Sequence, residues 1–413
     1  MTQDPSVSGV ADPTQPDPNR VVVFDTTMRD GEQAPGFSMS PADKVRMGRA
    51  LKDLGVDVME AGFAAASPGD EECIRQVVGE IAENDFGPRF CSLSRSGEDD
   101  IDAAWRALRG TPRRRLHIFL GTSPIHRAAK LKMTADQVMA AAIRSVEYAG
   151  QYFDDIEFSA EDAIRTEPEF LAEVLEAVAQ AGATTLNVPD TVGYSTPDEI
   201  GALYRFLIER IRPRFPDVVF STHCHNDLGL AVANTLSAVA AGARQVESTI
   251  NGIGERAGNA SLEEVVMALR VRAERFGVTT GVDATKLVST SRLLSEITHS
   301  PVVRNKAIVG INAFAHEAGI HQHGMFNDAR TYEIMRPQDV GFEGSFFVLG
   351  KHSGRHAVAK RAEVLGHPLV GLHLTEAFAA FKARADQIGE IDDAELTAIC
   401  VATQPRERRH AAA

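Results

Sequence analysis

Val218-Val219-Phe220-Ser221-Thr222-His223-Cys224-His225-Asn226-Asp227 is the stretch on which the reading of the chain turns. Its first residues are β-branched or aromatic and predict a strand. Side chains alternate along a strand, so His223 and His225 share a face and Cys224 takes the other. Two imidazoles at the C-terminal end of a strand form a pair of ligands for a divalent metal; the alternative is two histidines in a hydrogen-bonded turn. The motif is short, so its surroundings have to decide.

Upstream and downstream, short β-branched runs alternate with amphipathic stretches. Strands are expected at 21–25, 56–62, 89–94, 115–121, 155–159, 184–189, 218–225 and 245–251. Helices are expected at 41–54, 70–83, 99–109, 134–149, 167–181, 196–210, 228–241 and 262–276. Ser40-Pro41 and Thr196-Pro197 predict N-caps with proline in the first turn, and Gly55, Gly150, Gly182 and Gly242 predict stops. A strand–helix unit repeated eight times in about 250 residues is the pattern of a (β/α)8 TIM barrel. The competing doubly wound sheet would be expected to carry G-x-G-x-x-G after its first strand, and none is there. Past 282 the alternation stops. Helices are expected at 285–298, 354–365 and 375–388, so the chain divides into an N-terminal arm (1–19, disordered), a barrel (20–282) and a mostly helical subdomain (283–413).

Composition excludes several classes. The 413 residues carry 43 basic and 57 acidic side chains, a formal net charge of -14, which argues against nucleic acid or an anionic membrane as partner. Four scattered cysteines, Cys73, Cys91, Cys224 and Cys400, form neither a disulfide framework nor a zinc knuckle, and point to a reducing, cytoplasmic setting. The sequence has no apolar run long enough to span a bilayer and no signal-peptide pattern at its polar start.

Barrel chemistry collects at the C-terminal strand ends. There the sequence places Arg29 and Asp30 after the first strand, Glu60 on the second, His117 on the fourth, and Glu157, Ser159 and Glu161 on the fifth. Thr191 follows the sixth strand, His223 and His225 end the seventh, and Asn259 follows the eighth. Carboxylate, two imidazoles and an amide suit Mg²⁺, Mn²⁺ or Zn²⁺ with open positions; such a metal polarises a carbonyl, and an adjacent arginine can hold an oxyanion. Two other motifs fail. His316-Glu317 and His321 have histidines five apart, which do not share a helical face as the four-apart histidines of a zinc protease do. Gly252, Gly254 and Gly258 follow the last strand rather than the first, and read as a flexible loop.

Phe24-Asp25-Thr26-Thr27-Met28-Arg29-Asp30-Gly31-Glu32-Gln33, His223-Cys224-His225-Asn226-Asp227 and Asn251-Gly252-Ile253-Gly254-Glu255-Arg256-Ala257-Gly258-Asn259 resemble the signatures of the Claisen-condensing, metal-dependent barrel enzymes. That family includes the 2-isopropylmalate, homocitrate and citramalate synthases, with the 3-hydroxy-3-methylglutaryl-CoA lyases as cousins. The resemblance runs from about residue 20 to 362. It is strongest to the 2-isopropylmalate synthases, through Thr122-Ser123-Pro124-Ile125-His126, Asn305-Lys306-Ala307-Ile308-Val309-Gly310 and Gly319-Ile320-His321-Gln322-His323-Gly324.

The resemblance implies a metal on Asp30, His223 and His225, with Asn259 as fourth ligand, and acetyl-CoA as co-substrate. It implies that Arg29 stabilises the keto oxygen of a 2-oxo acid, that Thr191 holds the acid's carboxylate, and that His117 and Ser159 line the pocket. Glu161 and His321, with Tyr332, are the implied acid/base groups. In the family the stretch carrying His321 and Tyr332 reaches the partner's barrel, which implies a homodimer. Homocitrate synthases that resemble this chain carry arginine at the position of Glu157, so Glu157 is expected to repel 2-oxoglutarate and favour 3-methyl-2-oxobutanoate, the leucine-pathway substrate. Lyase cousins carry a cysteine in the loop after the eighth strand, and residues 252–258 have none. Most full-length 2-isopropylmalate synthases continue into a leucine-binding regulatory domain, whereas this sequence ends at Ala413. The expectation is weak or absent leucine feedback, or regulation through another chain, and homocitrate or citramalate synthesis is the alternative activity. A catalytically silent barrel acting as a scaffold would be expected to have lost a ligand, and all four are present.

Overall fold

A computed structural model describes residues 17–83, 86–317, 325, 328–344 and 346–404. Eight parallel strands close into a barrel in chain order: β1 (Val22–Asp25), β2 (Val58–Gly62), β3 (Arg89–Arg95), β4 (Arg114–Gly121), β5 (Ile156–Glu161), β6 (Thr185–Asp190), β7 (Val219–Cys224) and β8 (Gln245–Ser248). Closure is made by β1 against β8, with Phe24 opposite Glu247. The outer ring is α1 (Pro41–Leu54), α2 (Pro68–Ile81), α3 (Glu98–Leu108), α4 (Ala135–Ala149), α5 (Pro168–Ala181), α6 (Pro197–Ile211), α7 (Ala231–Ala240) and α8 (Leu262–Val271).

Local chemistry fixes where these helices begin. Reciprocal side chain–backbone bonds close capping boxes at Ser40/Asp43, Thr134/Gln137 and Thr196/Glu199, each cap stabilising its helix by about 1 kcal/mol. Proline in the first turn opens α1, α2, α5 and α6, where no intrahelical N–H is lost. The apolar helix faces then bury Leu51, Ile74, Ile101, Val146, Val174 and Leu207 against the strands.

The barrel interior is only partly apolar. Phe24, Val58 and Cys91 cluster at one level, and the Phe24 ring meets His117 edge-on at 5.8 Å. Elsewhere the filling is a hydrogen-bonded polar column. Arg115 donates to Asp155 (2.9 Å), Glu157 (3.1 Å) and the Gln245 side-chain oxygen (2.6 Å). The Gln245 amide donates to Glu157 (2.8 Å) and Ser221 (2.9 Å). Such groups tolerate burial because each has a partner.

Some elements differ from the sequence reading. β8 stops at Ser248, because Asn251 adopts a left-handed conformation inside a 3-10 turn (Ile250–Gly252). The eighth helix breaks at Arg272, leaving a single turn, Ala273–Phe276. The helix Leu287–Thr298 packs against α1, and the first compact unit accordingly runs to Val302. In the second unit, from Val303, the helices Arg355–Val364, Gly371–Ile388 and Asp393–Ala402 enclose Val358, Ala362, Ala377, Phe381, Leu396 and Cys400. No helix among the described residues is long and apolar enough to cross a membrane.

Candidate metal centre and active site

The C-terminal mouth of the barrel holds a cavity of about 320 Å³. Its wall contains Arg29, Asp30, His117, Ser159, Glu161, Thr191, His223 and His225, so eight of the residues singled out from sequence converge on one space.

The first side of the site is built by a turn. After β1 the chain enters a single π-helical turn, Thr27–Gly31, capped by the Thr26 hydroxyl, which accepts from the Asp30 N–H (3.3 Å). π turns recur at functional sites because they re-aim side chains. This one delivers Arg29 and Asp30 into the cavity. Beneath them lies Glu60, with no exposed surface. Its carboxylate accepts from Arg29 Nε (2.6 Å), the Thr26 hydroxyl (2.6 Å) and His117 Nδ1 (2.8 Å). Burial works against the Glu60 charge, but Arg29 and His117 outweigh it and hold the pKa down to about 2. A carboxylate can only accept, so Nδ1 of His117 carries the proton and Nε2 faces the Ser159 hydroxyl at 2.6 Å. The Ser159 oxygen also accepts from the Asn187 amide (2.7 Å), while Asn187 Oδ1 is buried without a partner.

The second side is the candidate metal-ligand cluster. Asp30 Oδ2 lies 3.3 Å from His223 Nε2 and 3.5 Å from His225 Nε2, and the two imidazole nitrogens are 3.1 Å apart. Burial disfavours the Asp30 charge, yet Arg29 and both histidines hold it well below the usual carboxylate range. His223 Nδ1 donates to Glu247 (3.0 Å), the arrangement of a metal-ligating histidine steadied by a carboxylate. Burial alone would lower His223; Asp30 and Glu247 push it up to about 10. His225 goes the other way, to about 4, through burial and the neighbouring His223 charge. Two ring nitrogens this close share either one N–H···N hydrogen bond or a cation between them. The Asn259 amide donates to Asp30 (3.1 Å), and its Oδ1 is buried without a partner, as is His225 Nδ1. A carboxylate, two imidazoles and orphaned acceptors form a donor set that fits a divalent cation.

Asn259 is brought in by the glycine loop. His225 and Asn259 form an antiparallel bridge, and the Asn226 N–H donates to the Gly258 carbonyl (2.9 Å). A Cβ on Gly254, at φ +155, would lie 2.1 Å from the Asn259 amide nitrogen, so the loop needs glycine for this close approach.

On the far side, Thr191 Oγ1 accepts from the Asp162 N–H (2.9 Å) and its carbonyl accepts from Arg256 (2.7 Å). Glu161 takes both its oxygens to Lys130, at 2.6 and 2.8 Å. Glu157 needs correction as a substrate-binding residue. Inward positions on β5 recur every second residue, so Glu157, Ser159 and Glu161 stack at three heights. Ser159 and Glu161 line the cavity; Glu157 sits below it, wholly buried against Arg115 and Gln245. Burial and the Glu247 charge push its pKa up, and its oxygens are taken by Arg115 and Gln245 rather than turned to a ligand above. Tyr332 belongs to the second unit, 6.5 Å from the His316 ring, and His321 lies outside the described residues.

Of the two supporting acids, Glu60 stands among the strand-end residues named from the sequence but without a role, and Glu247 is not among them. The signal was present: a glutamate inside a wholly buried parallel strand, Val58–Gly62 or Gln245–Ser248, departs from the apolar run such strands carry.

Comparison with known proteins shows the family of the chain. The HMGL-like family model matches residues 20–294, and the homocitrate synthase post-HMGL domain-like model matches 308–388. A 2-isopropylmalate synthase of Rhodopirellula baltica is 54% identical over 380 residues, spanning 92% of this chain and 71% of that protein. One from Aquifex aeolicus is 53% identical over 381 residues, spanning 92% and 72%. Among solved structures, a hydroxymethylglutaryl-CoA lyase from Pseudomonas aeruginosa superposes with TM-score 0.59 at 20% identity, over 69% of this chain and 95% of that one, a likeness of fold.

Proposed function

The chain belongs to the HMGL-like family and, within it, to the 2-isopropylmalate synthases, and from this premise we propose how its cavity condenses acetyl-CoA with 3-methyl-2-oxobutanoate and water to give 2-isopropylmalate and CoA. The observation that carries the reading is the Asp30–His223–His225 cluster with Arg29 beside it, in the mouth of one barrel.

A divalent ion, Mn²⁺, Mg²⁺ or Zn²⁺, held by Asp30, His223 and His225 with Asn259 nearby, would supply Lewis-acid polarisation of the ketone. The remaining work falls to side chains. Arg29, fixed by Glu60, would face the developing oxyanion with its guanidinium already oriented. Thr191 would receive the substrate carboxylate, with His117, Ser159 and Asn187 along the adjoining wall. Glu161 is the acid/base group within the cavity, and His321 with Tyr332 are the further acid/base candidates, which the homodimer reading brings from the partner.

Charge and shape support a branched, neutral tail. Phe63, Leu93, Phe119 and Pro189 provide apolar wall. Among the described residues, each cation lining the cavity is already paired: Arg29 with Glu60, Lys130 with Glu161, and Arg256 with Asp227. A second substrate carboxylate would have to break one of these pairs. This replaces repulsion by Glu157 as the reason to disfavour 2-oxoglutarate.

The homodimer reading is supported by exposed apolar side chains on the loops at the cavity end of the barrel: Ile125 after β4, Tyr194 after β6 and Leu228 after β7. Apolar side chains grouped there suit a covering surface.

The test is turnover in chelator-treated protein, with product identified by mass. CoA release and 2-isopropylmalate should return on adding Mn²⁺ or Mg²⁺, and a His225→Ala variant should neither hold the ion nor turn over. Full activity in metal-stripped protein would overturn the reading.

A further inference from the structure

Thr122-Ser123-Pro124-Ile125-His126 has no part in the site as described so far, yet it ends beside Glu161. His126 stands at the start of a π-helical segment, His126–Leu131, directly after β4. Its Nδ1 lies 3.0 Å from Asp162 Oδ2 and 2.9 Å from the Ser123 hydroxyl. Asp162 is buried, and its other oxygen accepts from Arg165 Nε at 2.8 Å. A carboxylate accepts only, so Nδ1 carries the proton, and Nε2 is left with a lone pair. That Nε2 is 3.8 Å from Glu161 Oε1.

Two features show that this approach is built into the backbone. Gly121, the last residue of β4, lies against the imidazole; a Cβ there would stand 2.8 Å from His126 Cβ and 3.3 Å from Glu161 Oε2. Asp162 adopts a left-handed conformation, φ +64, uncommon for a residue other than glycine. In that conformation its N–H reaches Thr191 while its carboxylate reaches His126. The groups that face His126 are Ser123 from its own segment and Glu161 and Asp162 from the end of β5, with Lys130 behind Glu161 and Arg165 behind Asp162.

We propose that the His126–Asp162 pair is the proton outlet of Glu161, a positioning and relay residue set for the condensation; this rests on Glu161 being the acid/base group. Both Glu161 oxygens already accept from Lys130, so a proton collected there displaces a hydrogen bond. The transfer breaks the Glu161 O–H bond and forms N–H at His126 Nε2. Glu161 returns to carboxylate, and the imidazolium is balanced by Asp162. A closure of about 1 Å, or one bridging water, brings Nε2 into hydrogen-bond range. The partly exposed ring then releases the proton to solvent.

The test compares His126→Asn with His126→Ala and Glu161→Gln in the full-length protein, following CoA release. An asparagine amide can still donate to Asp162 but has no nitrogen at the Nε2 position. The proposal expects kcat to fall about 100-fold in both His126 variants, within the range for one general acid–base group, with the KM of the 2-oxo acid within about twofold. Added imidazole should restore part of the rate, and an equal ionic strength of NaCl should not. Wild-type kcat in His126→Asn, or a loss that imidazole does not rescue in a variant with wild-type circular dichroism, overturns the relay. Wild-type kcat in Glu161→Gln overturns the acid/base reading of Glu161 itself, and the two failures are thereby told apart.

Discussion

Replacing Glu60 by glutamine removes the charge on which the arginine side of the cavity is hung. The carboxylate accepts from three donors at 2.6–2.8 Å and has no exposed surface. Its pKa falls from 4.5 to about 2, a difference that corresponds to about 3 kcal/mol of stabilisation of the ionised, folded form. The amide can satisfy Thr26 and His117, but among the described residues Arg29 then keeps only Asp30, at 3.7 Å, as an ion-pair partner. In a barrel of this size 1 kcal/mol shifts the midpoint by about 2–4 °C, so Tm should fall by about 6–12 °C. Arg29 should lose its fixed orientation, and a misplacement of about 1 Å costs on the order of 100-fold in turnover. The sign with pH follows from the depressed pKa. The unfolded chain binds the proton first, so the Glu60 contribution is complete above pH 4.5 and disappears as pH falls towards 2. Thermal melts of wild type and Glu60→Gln should therefore differ at pH 7 and converge below pH 3, with kcat read by thiol release. A variant within 2 °C and twofold of wild type at pH 7 would refute the view that Glu60 organises Arg29.

The same reasoning gives three further expectations. Glu247→Gln removes the carboxylate that holds His223 Nδ1, and metal affinity measured by titration should fall about 10- to 100-fold, with turnover recovering at raised metal concentration. Gly254→Ala drives a methyl into Asn259 at a φ that side chains rarely adopt, so turnover should drop at least tenfold and Tm by several degrees; an unchanged melt would show that the loop yields freely. Glu157→Gln should leave the ratio of kcat/KM between 3-methyl-2-oxobutanoate and 2-oxoglutarate within about threefold, because the residue lies below the cavity; a swing towards 2-oxoglutarate would reinstate it as a selectivity residue.

The barrel was legible because its signals are local. Caps at Ser40 and Thr196, each followed by a proline in the first turn, mark helix starts independently of tertiary structure. His223 and His225 were legible for the same reason, since strand alternation alone sets their common face. What escaped depends on heights and partners that periodicity does not encode. Alternation placed Glu157 on the inward face but could not say that it lies one level too low to meet a ligand. Glu60 is legible at a strand end but not in its role, and Glu247 has no role in the sequence reading at all; both roles follow from Arg29, His117 and His223 around them. The helix Asp393–Ala402 was missed because it is short, and its docking on Phe381 and Val358 rather than a strong polar–apolar pattern holds it. The π-helical turns at Thr27–Gly31 and His126–Leu131 have no sequence period of their own.

The most direct test of the account is the specificity profile of the purified, metal-loaded protein: kcat/KM for a panel of 2-oxo acids with acetyl-CoA, read by free thiol. The account predicts that 3-methyl-2-oxobutanoate is preferred over 2-oxoglutarate and pyruvate by at least about 100-fold, the scale set by leaving a second carboxylate unpaired or an apolar wall unfilled. Preference for 2-oxoglutarate would contradict it, and would mean that one of the ion pairs at Lys130 or Arg256 opens to take the second carboxylate.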